Sequence, residues 1–500
     1  MGLDLISSSL FFKSPRLLRP YFGPTLNRFH GDSQNHVQPF TYQPSTLEQI
    51  ASTALSYNKG IFSVAQYYLL YRSFLYTFKF SDSLLPCALE TGITIAKCWL
   101  GIGLMAWFCV GAARRCNECY MDFLETLFNR KRAEVSKYDF DMKYWPIDYR
   151  YPGDQNVNIE LQPVPSKSFN PIFDFLCNGI GRWLIMPGSL GIINKQVGWQ
   201  LNNFRHKYIE NYKNDAKRLK FQIADNAFID ALYIRPSTNS NNNNSDKIII
   251  CSEGNAGFYE VGIMASPLRQ GYSVLGWNRP GFGQSSGDCT IENERLAIIT
   301  ILEYVRNELK YPDDKIITYG WSIGGYPSAV AGNAIDKKTG KKIINQIVLD
   351  ATFDHITPLA GSVLPNFLLP LGKKLINHGW NLDVDKEVQS YEGKILFYRR
   401  LRDEIISPGG PMRPDLNRAN FLVMNYLVKK FDLKSEKDSE MEFVREYLLS
   451  GGKLSLESKR KVQRLQGKEA EIWTFFQNIF VDLNQGHNEP MPHDKFRLPY

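Results

Sequence analysis

Lys315-Ile316-Ile317-Thr318-Tyr319-Gly320-Trp321-Ser322-Ile323-Gly324-Gly325-Tyr326 decides how the chain is read. Residues 315–319 are apolar and β-branched enough to predict a short buried strand. Residues 326–334 are mostly small and apolar and predict a helix. Between them lies the pattern G-x-S-x-G. On a turn this sharp, the positions two away from the serine have no room for a side chain, so glycine occupies both. The turn lifts the serine Oγ off the sheet edge and aims the next backbone N–H, that of Ile323, at a substrate oxygen. Glycine and serine are common, so the pattern alone also fits an ordinary glycine-rich turn. The strand before it and the helix after it are what mark a nucleophile elbow.

Working outward, the region from Arg218 alternates short apolar runs with helical patterns. Residues 219–224 and 228–235 predict a hairpin turned at Asp225-Asn226. Residues 248–251, 272–277, 346–349 and 395–398 predict buried strands, and 292–309 an amphipathic helix. Such alternation predicts an α/β fold, a mostly parallel sheet with helices on both faces. With the elbow inside that sheet, the α/β-hydrolase fold is expected. Residues 354–392, with Leu359, Val363, Phe367 and Leu371, interrupt the alternation and predict a lid insertion.

An acyl-transferring serine needs a base, an acid to orient the base, and oxyanion donors. In this fold the partners follow in the order Ser, acid, His, each on a loop after a later strand. Asp403, in Arg402-Asp403-Glu404-Ile405-Ile406, is the expected acid. Glu404 beside it and Asp350, ending the preceding strand, are the alternatives. Of the 7 His, only His487 and His493 lie far enough downstream. His487, in Asn484-Gln485-Gly486-His487-Asn488 behind the apolar run 478–483, is the expected base. One oxyanion donor is expected from Ile323 N–H. The other is expected from Glu253-Gly254-Asn255-Ala256-Gly257, which has the shape of a His-Gly-x-x-Gly loop with Glu253 in place of His. Asn255 N–H is the first choice there and Ala256 the second. Serine chemistry of this kind needs no metal and no cofactor. Two other patterns compete for attention. Gly281-Phe282-Gly283-Gln284-Ser285-Ser286-Gly287 misses a dinucleotide fingerprint by one residue of spacing. His378-x-x-x-x-Asp383 matches an acyltransferase-like pattern within the expected lid.

The N-terminal half reads differently. Residues 61–78 are apolar and aromatic but carry Gln66 and Arg72; residues 92–111 carry only Lys97 as a charge and match the hydrocarbon thickness of a bilayer. Together they predict a transmembrane hairpin over 61–112. Arg114-Arg115 and Arg130-Lys131-Arg132 follow it, and the arm 1–60 is also basic, so the positive-inside rule puts both flanks in the cytosol. Residues 113–215 are expected to link the membrane to a hydrolase domain over 216–500. Eight unpatterned Cys fit a reducing compartment. The net charge of +8 contains no run of five like charges, which argues against a nucleic-acid partner. Protein partners are not indicated.

The segments Glu253-Gly-Asn-Ala-Gly-Phe-Tyr-Glu260, Trp277-Asn-Arg-Pro-Gly-Phe-Gly283, Gly320-Trp-Ser-Ile-Gly-Gly325, Asp350-Ala-Thr-Phe-Asp354 and Arg402-Asp-Glu-Ile-Ile406 resemble the abhydrolase domain-containing protein 16 family. The resemblance runs from about the expected membrane hairpin onward. It implies a multi-pass phosphatidylserine lipase of the endoplasmic-reticulum membrane, with its catalytic domain in the cytosol. Such an enzyme releases a fatty acid to leave lysophosphatidylserine, and also acts on monoacylglycerol. It implies the triad Ser322, Asp403 and His487, the residues already reached. Tyr326 stands where that family would carry Phe. Residues 239–244 look like an inserted Asn-rich loop. A lysolipid acyltransferase using the same triad, and an inactive membrane scaffold, remain as alternatives.

Overall fold

The computed structural model describes residues 10–30, 39–57, 85–129, 132–163, 170–177, 181–182, 186–237, 244–359, 367–492 and 494–499. Two compact units form, Met1–Pro146 and Ile147–Tyr500.

In the first unit, β1 (Leu26–Phe29), β2 (Phe40–Thr41) and β3 (Tyr138–Phe140) make an antiparallel sheet in the order β2-β1-β3. Two helices follow one another, α1 (Leu85–Arg115) and α2 (Glu118–Asn129). α2 buries Tyr120, Phe123, Leu124 and Leu127, one stripe at helical spacing. Phe123 meets the rings of Tyr138 and Phe140 at 5.1 and 5.2 Å, which seats the stripe on β3. Near the end of α1 the buried Arg114 pairs with Glu48 at 2.7 Å and lies over the Tyr120 ring. Trp107 packs against Tyr21 and Phe22. Leu100, Leu104 and Phe108, four residues apart along α1, are 64%, 57% and 56% exposed, leaving an apolar row on the surface.

The expected two-segment transmembrane hairpin is not shown among the described residues. Residues 61–78 lie outside the described residues. Residues 92–111 fall within α1. Among the described residues no helix is long and apolar enough to cross a membrane.

The second unit is built on one sheet. Its strands are β4 (Tyr149–Arg150), β6 (Ala216–Ala224), β7 (Ala227–Ile234), β8 (Ile248–Ser252), β9 (Ser273–Trp277), β10 (Ile316–Trp321), β12 (Gln346–Asp350), β13 (Lys394–Arg400) and β14 (Phe480–Leu483). β5 (Ile159–Glu160) and β11 (Ile335–Asp336) pair separately with each other. The nine strands lie in the order β14-β13-β12-β10-β8-β9-β7-β6-β4. From β14 to β9 every neighbour is parallel; β7 pairs antiparallel with both β9 and β6. Its helices include α3 (Gly191–Tyr212), α4 (Ile291–Asn307), α5 (Gly325–Gly332), α6 (Leu369–Gly379), α7 (Val384–Gln389), α8 (Arg418–Lys430) and α9 (Gly467–Ile479). This is the α/β-hydrolase fold expected from the sequence.

Alternation along the strands explains why both faces are covered. Ile248 and Ile250 join a core with Ile298, Ile301 and Leu302 of α4 on one face. Ile249 and Cys251 join Ile317, Tyr319 and Val348 on the other, against Ile209 of α3. Successive side chains of a strand point to opposite faces, so a run such as Ile248-Ile249-Ile250 serves two cores at once. Each such isoleucine, fully buried, contributes on the order of 2–3 kcal/mol. α4 begins at a capping Thr290, whose side chain accepts the Asn293 N–H. α3 is tied down by Arg205, fully buried and paired with Glu260 at 2.9 Å.

Register positions the site. Gly320 pairs with Ser252, Trp321 with Asp350, and Asp350 with Tyr398. β8, β10 and β12 therefore finish at one rim of the sheet. β13 runs on to Arg400, which pairs with Leu483 at the end of β14.

Candidate active site

The elbow is built as the glycines require. β10 ends at Trp321, Ser322 opens a single 3-10 turn, and α5 starts at Gly325. Ser322 has φ 54°, the left-handed region that a side chain rarely adopts. Holding it there costs on the order of 1–3 kcal/mol, which the surrounding packing must offset. A Cβ on Gly320 would lie 2.4 Å from the Gly324 carbonyl oxygen, and one on Gly324 would lie 2.0 Å from that of Ser252. Both glycines are demanded by backbone approaching backbone.

Three residues distant in sequence meet at this turn. Ser322 Oγ lies 3.0 Å from His487 Nε2, and His487 Nδ1 lies 2.7 Å from Asp403 Oδ2. Asp403 Oδ1 accepts the N–H groups of Ile405 and Ile406 at 2.9 and 2.8 Å. All three side chains are buried. A carboxylate fixed by two amides holds the imidazole with its proton on Nδ1, which leaves the Nε2 lone pair facing the hydroxyl. The alternatives for the acid have other partners. Glu404 Oε2 accepts the main-chain N–H of His487 at 3.0 Å, so it holds the loop and not the ring. Asp350 is fully buried against Arg400 and Tyr319. His493 lies outside the described residues. The Trp321 ring stands 5.4 Å from that of His487.

The loop expected to donate to an oxyanion lies against the elbow. A Cβ on Gly254 would sit 2.7 Å from the Trp321 ring, and one on Gly324 would sit 2.6 Å from the Glu253 carbonyl oxygen. The loop is turned by a Gly257 N–H donated to the Gly254 carbonyl at 3.0 Å, with Ala256 at φ 58°. Asn255 is exposed on this turn, while Ile323 is buried at the elbow. Glu253 is fully buried, and Oε1 accepts the Ile263 N–H at 2.9 Å. Burial pushes its carboxyl up to about 8, which favours the neutral form. Gly262 makes the space, since a Cβ there would fall 2.1 Å from the Glu253 carboxyl carbon.

The competing patterns come apart in three dimensions. Gly281 and Gly283, at φ 79° and 55°, form a turn closed by Phe282 N–H on the Arg279 carbonyl. His378 Nε2 pairs with Asp174 at 2.9 Å, whereas Asp383 caps α7 through the Lys386 N–H. Among the described residues no group of His, Cys, Asp and Glu could hold a metal ion. Sequence reasoning did not single out the buried Arg400, the loop-holding part of Glu404, or the Trp321 ring against the base. No periodicity flags a polar group whose partner sits on another strand.

The family model described as Phosphatidylserine Lipase ABHD16 N-terminal domain matches residues 15–142. That described as Chlamydia CHLPS protein (DUF818) matches residues 172–446. Phosphatidylserine lipase ABHD16A of Bos taurus is 28% identical, aligned over 92% of this chain and 91% of the relative. An uncharacterized protein of Caenorhabditis elegans is 28% identical over 93% of this chain and 95% of its own. An alpha-beta hydrolase from Vibrio vulnificus overlays at a TM-score of 0.40 and 17% identity, covering 59% of this chain and 100% of that one. The N-terminal match falls within the first structural unit and the DUF818 match within the second. The chain thus belongs to the family of the DUF818 model and, by its N-terminal domain and its relatives along nearly the whole length, to the ABHD16 family of α/β-hydrolases.

Proposed function

We propose that this protein is a serine lipase that hydrolyses an acyl ester of a glycerophospholipid. Phosphatidylserine, giving lysophosphatidylserine and a fatty acid, is the foremost substrate, with monoacylglycerol as a second. One observation carries the reading: a hydroxyl on a strained elbow, 3.0 Å from an imidazole that is itself 2.7 Å from a buried carboxylate. His487 Nε2 takes the Ser322 proton as Oγ attacks the ester carbonyl. Asp403 stabilises the imidazolium, and the Ile323 and Asn255 amides are assigned to the oxyanion. The imidazolium then gives its proton to the departing lysolipid alkoxide, leaving an acyl-serine. Water, deprotonated by His487, attacks that ester, and the fatty acid leaves as Ser322 regains its proton.

The head group is supported by the relatives named phosphatidylserine lipase ABHD16A. Action at a lipid surface is supported by the apolar row Leu100, Leu104 and Phe108. Acyl transfer finds no support in His378 and Asp383, whose partners are elsewhere.

The test uses the full chain in mixed micelles with phosphatidylserine. Fatty-acid release is measured alongside labelling by a fluorophosphonate. Ser322→Ala should abolish labelling and lower hydrolysis by a factor of roughly a thousand or more. Undiminished fatty-acid release from that variant would overturn the proposal.

A further inference from the structure

His487 can meet Ser322 and Asp403 only while the loop beyond β14 is held in place. Glu404 holds its main chain from one side, and one further side chain reaches three of its carbonyls. Arg400, the last residue of β13, is 2% exposed. Its Nη1 donates to the carbonyl oxygens of Gly486 at 3.0 Å and His487 at 2.8 Å, and also to that of Glu489. Its Nε and Nη2 donate to the two oxygens of Asp350 at 2.9 and 2.7 Å. The guanidinium thus reaches three carbonyls of the base loop and a carboxylate on the neighbouring strand. Its own carbonyl accepts the Asp403 N–H at 3.3 Å, so the same residue touches the acid loop as well. Asp350 is fully buried and also accepts the Tyr319 hydroxyl at 3.3 Å.

A buried ion pair is weak evidence for stability, because desolvation cancels much of the attraction. What a planar fork with five donors does supply is geometry. Three acceptors within one short turn of the loop fix its height and tilt. The guanidinium also lies 6.0 Å from the Trp321 ring, on which His487 rests. The charged or titrating groups around the base are Asp403 on Nδ1, Glu404 on its main-chain N–H, Glu489 on its own loop with Arg402, and the Arg400–Asp350 pair. Once His487 carries the Ser322 proton, it becomes a cation close to a second, buried cation. Asp350 is the charge that cancels the second one.

We propose that Arg400 is a positioning residue for the catalytic base, and that Asp350 both orients its guanidinium and neutralises it beneath the imidazolium. This rests on Ser322 being the nucleophile.

The experiment is the rate of fluorophosphonate labelling of the full chain in detergent micelles, followed from about pH 5 to about pH 9. The thermal midpoint is measured on the same samples. Asp350→Asn keeps the shape and removes the charge. Its acid limb should move about one pH unit lower, because an uncompensated guanidinium at an effective dielectric of about 20 disfavours a second cation. Arg400→Lys keeps the charge but cannot span the acceptors. Its plateau rate should fall about tenfold or more, with the limb unmoved. Lowered midpoints with limb and plateau both unchanged would mean a structural role only and would overturn the inference. A wild type that takes no label would instead sink the serine lipase reading. If neither variant folds, Tyr319→Phe removes only one donor from Asp350 and should raise the limb by a few tenths of a unit; an unmoved limb there also overturns the inference.

Discussion

Glu253→Gln tests whether the acid beneath the expected oxyanion loop is neutral. In the folded protein burial holds the carboxyl at about 8; Glu260 adds to the rise and the Ile263 N–H opposes it. In the unfolded chain the ordinary value is 4.5. Between those values the folded state binds one more proton than the unfolded state. Stability must therefore fall as pH rises, by about 1.4 kcal/mol per unit, a total on the order of 3–5 kcal/mol. The contribution is complete below the unfolded value and is lost as pH climbs to about 8. Gln cannot titrate, so the variant should lack this component. The assay is thermal unfolding of wild type and variant side by side from about pH 5 to about pH 9, read by tryptophan fluorescence. The difference between their midpoints should shift steadily in favour of the variant, by roughly 2 °C per kcal/mol in a large domain, and level off above about pH 8. A midpoint difference that stays constant with pH would show that Glu253 is ionised when folded, and the reasoning would fail.

Two further outcomes are expected. Asp403→Asn keeps the shape but cannot fix the Nδ1 proton in the same way, so fluorophosphonate labelling should slow by a factor of about a thousand to ten thousand with the thermal midpoint little changed; a loss below tenfold would point to another acid. Gly324→Ala places a methyl 2.0 Å from the Ser252 carbonyl oxygen, so the second unit should lose about 3 kcal/mol or more and labelling with it; full labelling at the wild-type midpoint would contradict the elbow geometry.

How much of this was legible in the sequence varied with the range of the cause. The elbow was legible because its pattern is local, although only Gly320 answers a contact within the turn, while Gly324 answers one with the end of the neighbouring strand β8. Asp403 and His487 were legible because chain order and strand ends restrict the choice. Between Asp403 and Asp350 the sequence could only rank, since both follow apolar strands. What separates them is register, which sets Asp350 beside the long end of β13, where Arg400 engages it. The helical connection from β13 to β14, with α8 and α9, lay unread because nothing local ties those helices to the site. Residues 191–212 read as linker, yet α3 carries Arg205 wholly buried on Glu260. A charged residue in a polar stretch looks solvated until its partner is known.

The separation of the three site residues has a consequence for how the protein comes to life. His487 lies 84 residues beyond Asp403 and 165 beyond Ser322. β14, which delivers it, is an edge strand of the sheet and, among the described residues, pairs with β13 alone. Contacts so distant in sequence close late in folding. A chain emerging from the ribosome would carry its serine long before its base, and would stay chemically silent until that edge strand docked. A lipase of the kind proposed here would thus have the docking of that edge strand as its safety catch.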